Sequence, residues 1–406
     1  MKVVIAPDTF KECLAASKVA EALAQGVLEA CPDARIDLCP MADGGDGTVE
    51  AMVAATGGRI MTADVFDPLG SQVRAHFGLL GDQTEAGLPG EVGLAAALGL
   101  AGGEGLPARS RGGTVAVVEM ARASGLVLVP PERRDPLRTT TFGTGQLILA
   151  ALDAGAREII VGIGGSATVD GGCGCAQALG VVFIGRDGEP CVCGLAGGGL
   201  AVIGGIDMSD RDGRVAQTRI RVACDVINPL TGPNGAAAVY GPQKGATPEM
   251  VIELEAGLAH LAEVIRRALG LDVAGLSGAG AAGGLGAGLV AIAGATLERG
   301  VTIVAEAVAL KRRLAEADLC ITGEGRLDLQ SLAGKTAVGV ADIARHLGVP
   351  VLCIPGQADA DFPRELFADV RPLVVGEVSV PVAMRRPQVL LKDRAAQALR
   401  SFMRRQ

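Results

Sequence analysis

The chain has no tryptophan, one tyrosine and eight phenylalanines in 406 residues. The stacking platforms on which single-stranded nucleic acids are held are therefore scarce. Positive charge is also short: 37 Lys and Arg face 45 Asp and Glu, a net charge of −8. That is the wrong sign for a nucleic-acid or acidic-membrane binder without a local basic patch. No apolar run reaches the length of a membrane span, and Pro7 and Asp8 interrupt the N-terminal apolar stretch too early for a signal peptide. Only three histidines occur, at 76, 260 and 346, away from the loops. No Ser–His or Cys–His system is evident, which argues against acyl transfer. The ten cysteines read as free thiols in a reducing, cytoplasmic setting, since their C-x-C pairs at 173/175 and 191/193 lack the usual zinc spacing.

Glycine is what the chain has in excess, 60 of 406, about twice the usual fraction of roughly 7%. The surplus sits in loops that follow strand-like runs. The β-branched run at 159–163 reads as a buried strand and breaks at Gly164, Gly165 and Ser166. It breaks again at Gly171 and Gly172, with Asp170 the lone charge between. Such glycines let backbone N–H groups converge on an anion, although a tight strand-to-helix turn also wants them.

The same grammar recurs along the chain. A strand at 2–6 leads to Pro7-Asp8-Thr9-Phe10-Lys11, a helix begins near Ser17, and a strand at 33–39 leads to the loop bearing Asp43 and Asp46. This is a doubly wound α/β pattern, in which ligands sit at the carboxyl ends of the strands. From about residue 59 the runs shorten and alternate, and 81–113 reads as a surface excursion with a short helix at 92–98. A second βαβ pattern near 318–354 resembles the first sixty residues. The expected fold is thus α/β with two domains: a flavodoxin-like, Rossmann-like parallel-sheet domain of residues 1–64 and 275–406, interrupted by an inserted mixed α/β domain at 65–274.

Lys11, Lys244, Arg326 and Lys335 lie in Gly- or Pro-flanked loops, as do Asp43, Asp46, Asp170, Glu324 and Asp328. One by one, each reads as well as a surface ion pair. Together, cations and carboxylates on glycine loops suit a phosphorylated ligand with Mg²⁺, which takes one or two carboxylates plus phosphate oxygens. Two motifs fail on context. G-x-G-x-x-G at 278–283 has no strand leading into it, and Gly334-Lys335-Thr336 has Leu329 where a P-loop needs glycine.

At this point the residues become recognisable. IAPDTFK, PMADGGDGT, TTTFGTG, VGIGGSATVDGG, CDVINPLTGPNGA, GPQKGATPEM, GAGAAGGLGAG and TGEGRLDLQSLAGKT together resemble the bacterial glycerate kinases of the galactarate and glyoxylate pathway type, in that family's order. The resemblance implies ATP-dependent phosphorylation of D-glycerate, to 2-phosphoglycerate, in an interdomain cleft. The residues expected to act are Asp8, Lys11, Asp43, Asp170 and Arg326, with Lys11 and Arg326 holding the glycerate carboxylate, one of Asp8, Asp43 or Asp170 accepting the hydroxyl proton, and Asp43 and Asp170 available to Mg²⁺. Gly164, Gly165, Ser166, Gly278, Gly280, Gly283 and Gly284 are expected along the ATP phosphates, with Lys244 or Lys335 neutralising charge. Val169, Ile227 and Asp46 stand where the family usually has Asn, Asp and Glu. No nucleic-acid or membrane partner is expected, and a homodimer is compatible with the sequence. An NAD-dependent oxidoreductase and a non-catalytic hydroxy-acid binder are the competing readings.

Overall fold

Alternation along the first strand decides the packing of the first sheet. Val3 and Ile5 face the helices Ala16–Ala30 and Pro387–Met403, whereas Val4 and Ala6 face the opposite core, as a period of two requires. The computed structural model describes residues 1–11, 13–81, 113–333 and 335–405. The expected helix at 92–98, and the excursion 81–113 apart from its two end residues, lie outside the described residues.

After β1 (Lys2–Ile5) and β2 (Arg35–Leu38) the chain leaves this sheet. It runs through β3 (Arg59–Phe66), β4 (Gln72–Leu79), β5 (Thr114–Glu119), β6 (Ala156–Gly162), a hairpin of β7 (Val182–Gly185) and β8 (Ile203–Asp207), β9 (Arg219–Ala223) and β10 (Thr296–Glu298). It returns through β11 (Leu319–Thr322), β12 (Arg326–Leu327), β13 (Val351–Cys353), β14 (Gln357–Ala358) and β15 (Asp369–Val370).

The first sheet has the order β15-β13-β11-β1-β2, and every pairing in it is parallel. Counted along the chain from its far edge this is 2-1-3-4-5, the flavodoxin-like order, whose reversal between β1 and β11 opens a crevice beyond the strands' carboxyl ends. The second sheet, β10-β9-β6-β5-β4-β3, is parallel except for the antiparallel strands β3 and β4. Its strands span Arg59 to Glu298, a wider stretch than 65–274, so the glycine run at 278–284 travels with the second sheet.

The two sheets share one helical layer. Val4 and Cys320 of the first sheet and Val117 and Ile160 of the second pack into one core with Met52, Val301 and Val340. These three side chains belong to the helices Thr48–Thr56, Gly300–Ala307 and Thr336–His346. Arg313 is fully buried in the same layer, ion-paired with Asp37 and donating to the carbonyls of Ala55 and Val308. Among the described residues no helix is long and apolar enough to cross a membrane.

Candidate active site

Two cavities open at the carboxyl ends of the strands. The larger, about 630 Å³, lies over the β1/β11 crevice and takes its charged wall from Asp8, Lys11, Asp43, Glu324, Arg326 and Lys335. Asp8 lies three residues beyond the end of β1 and is 6% exposed. The Thr9 N–H donates to one of its oxygens at 2.6 Å, and the Thr336 hydroxyl donates to the other from the first turn of Thr336–His346. Burial raises its carboxyl to about 8, and repulsion from Asp43 adds to the rise. Glu324 follows β11; burial raises it to about 7, and its buried Oε1 has no hydrogen-bond partner. Lys335 reaches Asp328 at 3.4 Å, and Arg326 is held by both oxygens of Asp359 at 3.0 Å.

The smaller cavity, about 400 Å³, lies against the second sheet and is lined by Gly164, Gly165, Ser166, Asp225, Gln243 and Lys244, among others. Lys244 is 1% exposed. Its ammonium donates to the Ser166 hydroxyl and the Thr168 carbonyl, each at 2.7 Å. Burial without a directly paired carboxylate brings this lysine down to about 7, because the charged form is the one desolvation penalises. Asp225 faces the open cleft, yet the surrounding wall raises its carboxyl to about 6, and the Gly300 N–H at 2.9 Å opposes that rise.

Lys11 and Asp43 line both cavities. The Asp43 loop is pinned there by backbone approach. A Cβ on Gly300 would lie 1.8 Å from the Asp43 carbonyl oxygen, so only glycine admits this contact. The Asp43 side chain closes its own turn by accepting the Gly45 N–H at 3.1 Å.

The structure therefore brings together Asp8, Lys11, Asp43, Arg326 and Lys335 in one cavity, and Gly164, Gly165, Ser166 and Lys244 in the adjoining one. It keeps other expected residues apart. Asp170 has no exposed surface, and it accepts the Thr141 N–H and hydroxyl and the N–H groups of Gly172 and Gly174 at 2.7 to 3.2 Å. It ties backbone together and lines neither cavity. Gly278, Gly280, Gly283 and Gly284 are buried as well. At Gly283, with φ +69°, a Cβ would lie 1.9 Å from the Thr168 carbonyl oxygen. That run is pressed onto protein backbone, and its contribution to the smaller cavity comes from Ala281 and Ala282. Ala282 sits at φ 53°, a strained conformation for a residue with a side chain.

Asp225 is the functional candidate that sequence reading missed. The signal was available: it lies two residues beyond the β9 end at Ala223 and precedes Asn228-Pro229, the same strand-then-break grammar that exposed Asp8. Val169, in place of the family's usual asparagine, is fully buried beside Leu254 and Leu258, so the replacement removes no group from either cavity.

The sequence model of the glycerate kinase family matches residues 3–403. The chain is 48% identical over 361 residues to the glycerate 2-kinase of Escherichia coli (strain K12), covering 89% of this chain and 86% of that protein. It is 47% identical over 361 residues to the glycerate kinase of Bacillus subtilis (strain 168), with 89% and 86% covered. The crystal structure of a provisionally assigned glycerate kinase 2 from Salmonella typhimurium LT2 matches with a TM-score of 0.85 at 45% identity, covering 100% of this chain and 98% of that one.

Proposed function

The chain belongs to the glycerate kinase family, and from that premise we propose that it transfers the terminal phosphoryl group of ATP to the 2-hydroxyl of D-glycerate. The observation that carries this reading is the pair Lys11 and Asp43, which face both cavities at once. Phosphoryl transfer asks little covalent chemistry of a protein; it needs donor and acceptor in line and negative charge neutralised between them. Adjoining cavities with a lysine at their border meet that need.

The residues present fit a magnesium ion. Among the described residues no set of three or more His, Cys, Asp or Glu converges as a ligand cage. Mg²⁺ does not ask for one, since it takes one or two carboxylates and completes its shell with water and phosphate oxygens. Asp43 and Glu324 would hold it, and the unpartnered Glu324 Oε1 is the acceptor it would satisfy. When bound, the ion neutralises phosphate charge and draws electron density from the bond that breaks.

On the acceptor side, Lys244 and Ser166 hold the carboxylate of the acid. Asp225, raised to about 6, takes the hydroxyl proton, which suits a general base working near neutral pH. Lys11 stabilises the charge that passes between the cavities. This arrangement departs from the expectation that Lys11 and Arg326 anchor glycerate: Arg326 lines the larger cavity and not the smaller, and Asp359 already holds it there, while Lys11 stands on the border of the two.

The test is direct. Protein incubated with ATP, Mg²⁺ and D-glycerate should release ADP only when glycerate is present, and NMR of the product should show phosphorus on the oxygen of carbon 2. ADP release independent of glycerate, or phosphorus on the terminal oxygen, would overturn the corresponding part of the proposal.

A further inference from the structure

The larger cavity has an apolar lining beside its charged one, supplied by Leu373, Val374, Val380, Ala383, Met384 and Pro387. Val380 and Met384 remain 38% and 44% exposed. Exposed apolar side chains lining a charged cavity suit a ligand with one apolar part. D-glycerate has none: each of its three carbons carries oxygen. The nucleotide does, in the two faces of its base. Volume points the same way, because the smaller cavity is about 400 Å³ against about 630 Å³, and a three-carbon acid needs only a fraction of either.

Resting on the kinase reading above, we infer that the Leu373–Pro387 lining of the larger cavity is the subsite for the purine base. The triphosphate then runs inward past Lys335 and Arg326 toward Lys11, and D-glycerate occupies the smaller cavity beside Lys244. Gln357 also lines the larger cavity, and its amide offers one donor and one acceptor group to the base edge. The walls are linked: the Cys13 thiol, just beyond the loop that carries Lys11, lies 3.8 Å from the Met384 carbonyl oxygen. A bound base is thereby coupled to the loop that meets the phosphates.

Met384→Asp and Val380→Asp, made separately, test this placement. Both side chains are partly exposed, so the variants should fold, and an unchanged Tm checks it. Calorimetric Kd for ADP and KM for ATP should rise by about tenfold or more, because a solvated carboxylate replaces the apolar contact with the base. KM for D-glycerate should stay within about twofold. The advantage of ADP over inorganic pyrophosphate as a ligand should shrink by the same factor as the ADP affinity. Parent-like ADP binding in both variants, or a rise confined to KM for D-glycerate, would overturn the base subsite. ADP calorimetry needs no turnover, so it decides the subsite even if the parent forms no phosphoglycerate, a result that would sink the kinase reading alone.

Discussion

Lys244 shows how one side chain can be read from its neighbours. Pro242 and Gly245 mark its loop in the sequence, but only the fold reveals that the amine is buried between Ser166 and Thr168. A lysine carries its charge below its pKa. With that pKa brought down to about 7, the charged fraction falls as pH rises through 7. The kcat/KM for D-glycerate, which reports the free enzyme, should therefore decline above about pH 7. Lys244→Met should flatten that limb and lower kcat/KM by about 10²-fold or more. An unchanged pH profile in the variant would remove Lys244 from the binding of the acid. Asp170 teaches the converse. A lone carboxylate between glycines gives one local pattern whether it meets a ligand or ties up backbone, and its partner Thr141 is too distant in sequence to decide between the two. Asp170→Ala should leave several buried donors unpaired, at a cost of about 1–3 kcal/mol each. A parent-like Tm with lost activity would instead restore a direct role in the reaction.

At the scale of elements, the strand-loop-helix succession was legible because it rests on local signals: β-branched runs, glycine breaks and apolar periodicity. The placement of strands beside one another was not. Nothing in the four residues of β2 states that it flanks β1 on the side away from β11, yet that reversal creates the crevice holding Asp8 and Glu324. Part of the placement is secured by the buried pair of Arg313 and Asp37, which ties the helix Leu310–Ala315 to β2. Arg313→Ala strands the Asp37 carboxylate without its partner and should cost about 3–5 kcal/mol in urea unfolding. The double variant Arg313→Met with Asp37→Leu should recover most of that loss, since apolar replacement of a buried pair is often neutral. A double variant no more stable than Arg313→Ala would show that the pair matters through its packing and not through its charge.

For the molecule as a whole, the split of one parallel sheet by a long inserted stretch was visible in sequence, because the βαβ grammar of the first sixty residues returns near residue 318. Its limits were less visible, since β10 is three residues long and carries little pattern of its own. The convergence of Asp8, Asp43 and Lys335 on one cleft was expected from the family resemblance and not from any local pattern; what joins them to Glu324 is the shared helical layer that holds the two sheets together. The resulting pair of cavities, with Lys11 and Asp43 on their border, is the feature on which the proposed chemistry depends. Steady-state kinetics of Lys11→Met with ATP, Mg²⁺ and D-glycerate test it most directly. If Lys11 stabilises charge in transit, kcat should fall by about 10²- to 10³-fold while the KM values for both substrates move by less than about fivefold. A variant with kcat within about threefold of the parent would contradict transfer across that border.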